Sequence, residues 1–148
     1  MQMLLVLFIV VAFATSYGGS IARNVSNYQA TAEATATGDN MKVYQGFLKT
    51  YATANPTVTG PVADTAIPLP TWFSHGPTVQ NYVSSGKVFV YNTAPPVGLV
   101  GYLAGGGTAS TITAGVATNG VLVGPTTFGQ TPITLPAAIP NNSVVLAN

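Results

Sequence analysis

The first 22 residues carry no charged side chain, and residues 3–14 are apolar throughout. Because a helix rises about 1.5 Å per residue, about 20 residues span a hydrocarbon core of about 30 Å. We predict a single-pass membrane anchor over residues 1–22, followed by an exported domain over residues 23–148. The predicted anchor is formed by Leu4, Leu5, Leu7, Phe8, Ile9, Val10, Val11 and Phe13.

Two other interpretations of this segment compete with the anchor. A cleaved secretory signal is supported by residues 12–14, which match an A-x-A cleavage site, but no basic residue precedes the apolar run. A buried core helix is hard to place at the end of so weakly charged a chain. Arg23 favours a cytoplasmic domain, whereas the Thr, Gly and Asn content downstream favours export. We predict a location in the bacterial inner membrane, with the C-terminal domain in the periplasm.

Charged residues make up only 5% of the 148 residues, where a soluble domain has about a quarter. The net charge of +1 provides no electrostatic footprint for nucleic acid. A hydrophobic content of 47% indicates a packed protein, and a weakly charged surface suits contact with a membrane or with other proteins in an assembly. The chain has no cysteine, which excludes disulfides and thiolate metal sites.

The chain between residues 23 and 55 has the composition of a helix that leaves the membrane, and residues 38–40 predict an interruption or kink in it. After that point, apolar residues recur at spacings of three and four and predict a face packed on a sheet. Pro56 ends the helix. The apolar face is formed by Met41, Tyr44, Phe47, Leu48 and Tyr51.

The remainder of the chain predicts short strands and turns. Residues 56–77 are rich in Pro and Thr and predict an ordered loop, which Trp72 and Phe73 hold to the body. Residues 79–83 form a turn of helix or a strand, and residues 87–92 form the best strand. A short helix over residues 97–103, ended by glycines 105–107, is followed by strand-like residues 110–113.

An Asn-Gly pair at residues 119–120 predicts a hairpin, and residues 143–147 predict a last strand. The fold class is α+β: an N-terminal transmembrane or long helix packed on a small antiparallel sheet, pilin-like in outline.

No arrangement of residues in the sequence supports catalysis. His75 is the only histidine, and Glu33, Asp39 and Asp64 are scattered without metal-ligand spacing. A Ser-His-Asp arrangement stays open on counting alone, but no G-x-S-x-G elbow is present, and we interpret His75 as a polar loop residue. We predict a protein that is not an enzyme, with no catalytic residues, no metal and no cofactor.

The pattern of the whole chain resembles the PilM family of the thin, type IVb pilus operons found on conjugative plasmids. This resemblance implies an inner-membrane protein with an exported domain, part of the pilin transport or pilus basal apparatus, without enzymatic activity. Besides the apolar N-terminal span, it is carried by residues 47–48, 51–52, 60–62, 69–70, 83–91, 96–99, 135–140 and 143–145.

We therefore predict a non-enzymatic component of a pilus assembly apparatus that contacts other assembly proteins or pilin, with a homo-oligomer as a further option. The predicted contact surfaces are the Thr and Ala face of residues 30–37 and the loop carrying Trp72 and Phe73. A pilin-like filament subunit is the first alternative, although Leu5 stands where pilins carry Glu and no charged leader precedes the span. A secreted binding domain released after Ala14 is the second.

Overall fold

The computed structural model describes the backbone of residues 2–105 and 113–148, and side chains from residue 25 onward within these ranges. A long helix is followed by the strands of one sheet, and a second, short helix lies between the third and fourth strands in chain order. The elements in chain order are α1 (Gln2–Ala54), β1 (Thr59–Gly60), a 3-10 turn (Asp64–Ala66), β2 (Val79–Ser84), β3 (Lys87–Asn92), α2 (Leu99–Gly105), β4 (Thr113–Thr118), β5 (Val121–Val123) and β6 (Val144–Ala147).

Helix α1 runs without a break for 53 residues. At about 1.5 Å per residue it is about 80 Å long. At its end, the backbone N–H and the side-chain Nδ2 of Asn55 both donate to the carbonyl oxygen of Tyr51, each at 3.0 Å. The next residue, Pro56, has no N–H to continue the helix. The predicted end of the helix is confirmed.

The predicted interruption at residues 38–40 is wrong, because these residues make tertiary contacts instead of a cap. Gly38 lies under Tyr102 of α2, where an added Cβ would be 2.7 Å from Cε1 of the ring. Oδ1 of Asp39 accepts a hydrogen bond of 2.5 Å from the Tyr102 hydroxyl, and Nδ2 of Asn40 donates to the carbonyl oxygen of Ser74 at 2.8 Å. The helix therefore continues through Gly38, where the absence of a Cβ leaves room for the ring of Tyr102.

The six strands form one antiparallel sheet in the order β1-β2-β3-β6-β4-β5. The last strand of the chain, β6, lies between β3 and β4, with Leu146 opposite both Val90 and Ala114. This arrangement confirms the α+β fold, the strand at residues 87–92 and the last strand. Residues 79–83, for which helix and strand were both open, belong to β2.

The predicted hairpin joins β4 to β5. Asn119 and Gly120 have positive φ angles of 51° and 76°, as a type I′ turn requires, and Thr118 pairs with Val121. The short helix is confirmed as α2, which begins two residues later than predicted. Residues 106–112, which include two of the predicted glycines and most of the strand-like segment before β4, lie outside the described residues.

The sheet has a hydrophobic layer on each face, because successive side chains of a strand point to opposite sides. Val88 and Val90 face the helices, where the apolar face of α1 contributes the fully buried Met41, Tyr44 and Leu48. The predicted packing of this face on the sheet is confirmed. On the opposite face the second layer consists of Phe89, Tyr91, Ala117, Leu122, Leu135, Ile139, Val145 and Ala147.

The predicted membrane anchor is not supported by the described part of the chain. Where side chains are described, α1 contains no stretch that is long and apolar enough to cross a membrane. The backbone of the predicted anchor, Leu4, Leu5, Leu7, Phe8, Ile9, Val10, Val11 and Phe13, belongs to α1, but their side chains lie outside the described set. The division at residue 22 stays a prediction.

Candidate interaction surfaces

Trp72 and Phe73, predicted together as a contact surface, have different surroundings. Phe73 is half-buried, with its ring centroid 5.7 Å from that of Tyr44 and 5.8 Å from that of Phe47, both on α1. Trp72 touches this group only through an edge contact with Phe73 and is 72% exposed. Phe73 therefore holds the loop to α1, whereas Trp72 presents its indole to the outside.

A partly buried polar group joins this loop to α1 and β2. The hydroxyl of Tyr44 donates to Oδ1 of Asp64 at 2.5 Å and accepts from Nδ2 of Asn81 at 2.8 Å. The Asn81 side chain also bonds the backbone of Val62 twice, accepting from its N–H and donating to its carbonyl oxygen, each at 2.8 Å. The group thus ties α1, the loop and β2 together with satisfied hydrogen bonds.

The environment of Tyr44 keeps its phenol neutral. Burial and the hydrogen bond to Asp64 raise the pKa of Tyr44 well above its ordinary value, and the hydrogen bond from Asn81 opposes them to a smaller extent. The ring of Tyr44 is fully buried, so ionisation would place an uncompensated charge beside the Asp64 carboxylate. Tyr44 acts as a hydrogen-bond donor.

His75 extends the same polar group at its edge. Its Nε2 is 3.0 Å from Oδ2 of Asp64, its Nδ1 is 3.0 Å from the carbonyl oxygen of Gly76, and its ring packs on Tyr44 at 4.5 Å. Both ring nitrogens therefore face oxygen acceptors of the loop, and neither faces a serine hydroxyl. In the part of the chain with described side chains, no three His, Asp or Glu residues are close enough to hold a metal ion.

The Thr and Ala face of residues 30–37 borders an open groove. Ala34 is buried, whereas Thr31, Ala32 and Ala36 are exposed. We name the space between this part of α1 and the start of α2 the α1 groove; its volume is about 400 Å³. Its lining consists of Asn27, Ala30, Thr31, Ala34, Thr35, Val97, Gly98 and Tyr102.

One end of the α1 groove is held in place by polar contacts. Tyr102 donates to Asp39, and Nζ of Lys42 lies 4.3 Å from the centroid of the Tyr102 ring and 3.7 Å from Oδ1 of Asp39. Both partners of this ion pair are on α1, three residues apart. The contacts hold α2 against α1 and so define the wall of the groove.

The sequence did not predict the polar group around Tyr44. The apolar face correctly places Tyr44 in the core, but its partners lie 20 and 37 residues further along the chain. The one available signal is chemical, since a buried tyrosine hydroxyl usually needs a hydrogen-bond partner. That rule indicates that a partner exists and does not identify it.

The solved structures with similar sequence and fold include two bacterial proteins. A candidate pilM protein of Pseudomonas aeruginosa 2192 is 35% identical, with 77% of this chain and 92% of that chain covered and a TM-score of 0.50. A candidate PilM protein of Escherichia coli B7A is 29% identical, with 81% and 94% covered and a TM-score of 0.58. A comparison with curated proteins finds no match.

The sequence profile of one family covers almost the whole chain. It is the profile of PilM, and it matches residues 8–147. The match includes the long helix from residue 8 onward, the loop with the polar group around Tyr44, and all six strands of the described sheet. Together with the 35% identity to the Pseudomonas protein, this match shows that the chain belongs to the PilM family of pilus-related proteins.

Proposed function

We propose that this protein is a non-enzymatic component of the assembly apparatus of a thin, type IVb pilus of the kind that serves conjugation. It is anchored in the bacterial inner membrane by residues 1–22, with its domain in the periplasm, and it acts by contact with other pilus assembly proteins or with pilin. The observation that carries the proposal is the PilM family match over residues 8–147.

The anchor is supported by the amino-acid sequence. Residues 3–14 are apolar without exception, and the next residue with a charge is Arg23. The uncharged segment before Arg23 is therefore 22 residues long, and about 20 helical residues suffice to span a hydrocarbon core of about 30 Å. Single-pass insertion would leave the α+β domain on one side of the membrane, tethered by α1.

A role based on contact is supported by the chemistry of the exposed surfaces. Trp72 is 72% exposed, and tryptophan is among the residues most enriched at the energetic centres of protein interfaces. In the same loop, His75 contacts Asp64 at 3.0 Å and the carbonyl oxygen of Gly76 at 3.0 Å. They therefore serve to hold the loop that presents Trp72.

The experiment compares two exposed aromatic residues in a host that assembles the pilus. A strain lacking the protein is complemented with the wild type, Trp72→Ala or Phe128→Ala, and pili are sheared, weighed and imaged. Phe128 is 92% exposed and lies in the loop after β5, so it is a matched control for loss of an exposed ring. We expect Trp72→Ala to reduce pilus yield at unchanged protein level and Phe128→Ala to leave it unchanged.

Fractionation of the same strains tests the location and the class of protein. Full-length protein confined to the inner membrane supports an assembly component. Abundant protein in sheared filaments would make it a filament subunit, and a form shortened to about residue 15 in the soluble periplasm would make it a secreted binding domain. Normal pilus yield in the strain lacking the protein would overturn the proposed function altogether.

A further inference from the structure

The face of α1 that packs on the sheet continues beyond the body of the domain. Ala34, Met41 and Leu48 follow each other at intervals of seven residues and are all buried. Asn27 continues this series by one more step toward the N-terminus and lines the α1 groove. The groove is therefore an extension of the packed face that lies between α1 and the start of α2, and no other part of the described chain covers it.

The part of α1 beside the groove has little to pack against. Residues 25–29 and 31–33 are all exposed, including Tyr28 at 77%, and Val97 on the opposite wall is 82% exposed. Most of the stability of helices in proteins comes from packing of one face against other elements. Large apolar groups exposed next to an apolar groove mark a surface that binds another protein.

The chemistry of the groove specifies what can cover it. No lining residue is charged, and Ala30, Ala34 and Gly98 are small enough to let another helix approach closely. Of the nearby charges on α1, Glu33 is not part of the lining, and Asp39 is occupied by Tyr102 and Lys42. An uncharged helix can therefore enter the groove without repulsion and without leaving a charge unpaired.

We propose that the α1 groove is a self-association surface, in which a second copy of this chain packs its own α1 in parallel orientation. This inference rests on the proposed function, since anchoring through residues 1–22 holds all copies parallel in one membrane. Asn27 lies five residues beyond the anchor, about 8 Å along a helix that rises about 1.5 Å per residue. The groove of every copy thus lies at the same height above the membrane.

A second copy is an occupant that meets each requirement of the groove. Its α1 is uncharged between Arg23 and Glu33 and carries the same small residues. In a two-fold pair each residue of one copy meets the same patch of the other, so identical positions near the axis lie opposite each other. The pair covers Tyr28 and Val97 in both copies, and the contact is short because α2 occupies the same face of α1 further along.

The absence of cysteine from the chain makes a direct test possible. Single substitutions Asn27→Cys and Thr31→Cys place a thiol on the groove face of the full-length protein. Gln29→Cys is the matched control, since Gln29 is also exposed but points away, about 200° around the helix at 3.6 residues per turn. Each variant is oxidised with copper phenanthroline in membranes of the native host and separated by mass without reductant.

We expect several-fold more disulfide-linked dimer from Asn27→Cys and Thr31→Cys than from Gln29→Cys, because a disulfide forms only where Cα atoms approach within about 7 Å. Adding Ala30→Trp to the Thr31→Cys variant should fill the groove and abolish the dimer, with an unchanged circular dichroism spectrum. Equal dimer from all three positions, no dimer from the groove positions, or a product joined to a different protein would each overturn the inference.

The cross-linking experiment and the pilus-yield experiment can fail independently of each other. Loss of pilus yield in Trp72→Ala with no dimer at the groove positions would remove only the self-association. Dimers specific to the groove in a strain whose pili do not depend on the protein would remove only the role in pilus assembly.

Discussion

The hydroxyl of Tyr44, on the buried face of α1, donates a hydrogen bond of 2.5 Å to Asp64, which belongs to the loop after the helix. The same oxygen accepts from Asn81 of β2 at 2.8 Å. One atom in the core therefore joins the helix, the loop that presents Trp72, and the sheet. The contribution of these two hydrogen bonds to stability can be measured with a substitution that keeps the ring of Tyr44.

We expect Tyr44→Phe to lower the free energy of unfolding by about 1–3 kcal/mol. The substitution keeps the ring but removes the acceptor of the buried Asn81 amide and the donor to Asp64. Urea unfolding of the full-length protein in mild detergent, followed by circular dichroism, measures the change. The control is Thr57→Val, which removes a hydroxyl from an exposed residue of the loop after α1 and should change stability by less than about 0.5 kcal/mol. Equal effects of the two substitutions would contradict the role of the polar group.

The stability of the fold should fall as pH rises above about 10, the ordinary pKa of tyrosine. Burial, and then the hydrogen bond to Asp64, raise the pKa of Tyr44 above that value in the folded state. The folded state thus retains a proton that the unfolded state loses, so this contribution is fully present below pH 10 and is lost as pH rises toward the pKa of the folded state.

Comparison with Tyr44→Phe isolates this contribution, because other groups also titrate at alkaline pH. Burial raises the pKa of Tyr91, and the hydrogen bond to Asp39 raises that of Tyr102, but both residues are present in each protein. Urea midpoints between pH 8 and 11 should decline more steeply for the wild type than for Tyr44→Phe. Parallel declines would show that Tyr44 ionises as readily in the folded state as in the unfolded chain.

The features that could be predicted from the sequence depend on local patterns. The Asn-Gly pair at residues 119–120 determines its own turn, because both residues tolerate positive φ. The apolar spacing that begins at Met41 identifies the buried face of α1 whatever covers it. Both predictions needed only a few neighbouring residues, and both are confirmed.

The features that could not be predicted depend on contacts between distant residues. Phe73 and Trp72 are adjacent aromatic residues, yet Phe73 packs on Tyr44 and Phe47 of α1 whereas Trp72 is 72% exposed. Residues 38–40 have the composition of a helix break, but Tyr102, 63 residues from Asp39, supplies the contact that makes them continuous. Tertiary packing overrides helix propensity at such a site.

Alanine substitutions at two glycines of α1 can distinguish the effect of helix propensity from the effect of the contact with Tyr102. Alanine in place of glycine stabilises an exposed helix interior by about 0.5–1 kcal/mol. At Gly46 an added Cβ meets nothing within 4 Å, so Gly46→Ala should raise the urea midpoint. At Gly38 the added Cβ overlaps the ring of Tyr102, so Gly38→Ala should displace α2 and lower stability by about 1–3 kcal/mol, the usual cost of overpacking.

Gly38→Ala and Gly46→Ala are expected to change stability in opposite directions because the Tyr102 ring lies over Gly38 only. Removal of that ring should therefore change the effect of Gly38→Ala. In a Tyr102→Ala background the close atom that remains beside an added Cβ at Gly38 is Cδ2 of Leu103 at 3.3 Å, the flexible end of a side chain. Gly38→Ala should therefore lose most of its cost and become close to neutral, whereas Gly46→Ala keeps its effect because its added Cβ meets nothing within 4 Å. Unfolding of the four proteins in the Gly38 and Tyr102 cycle measures this coupling directly. Additive effects at Gly38 and Tyr102 would mean that the glycine is not needed for the approach of α2, and the continuity of α1 through residues 38–40 would then require another cause.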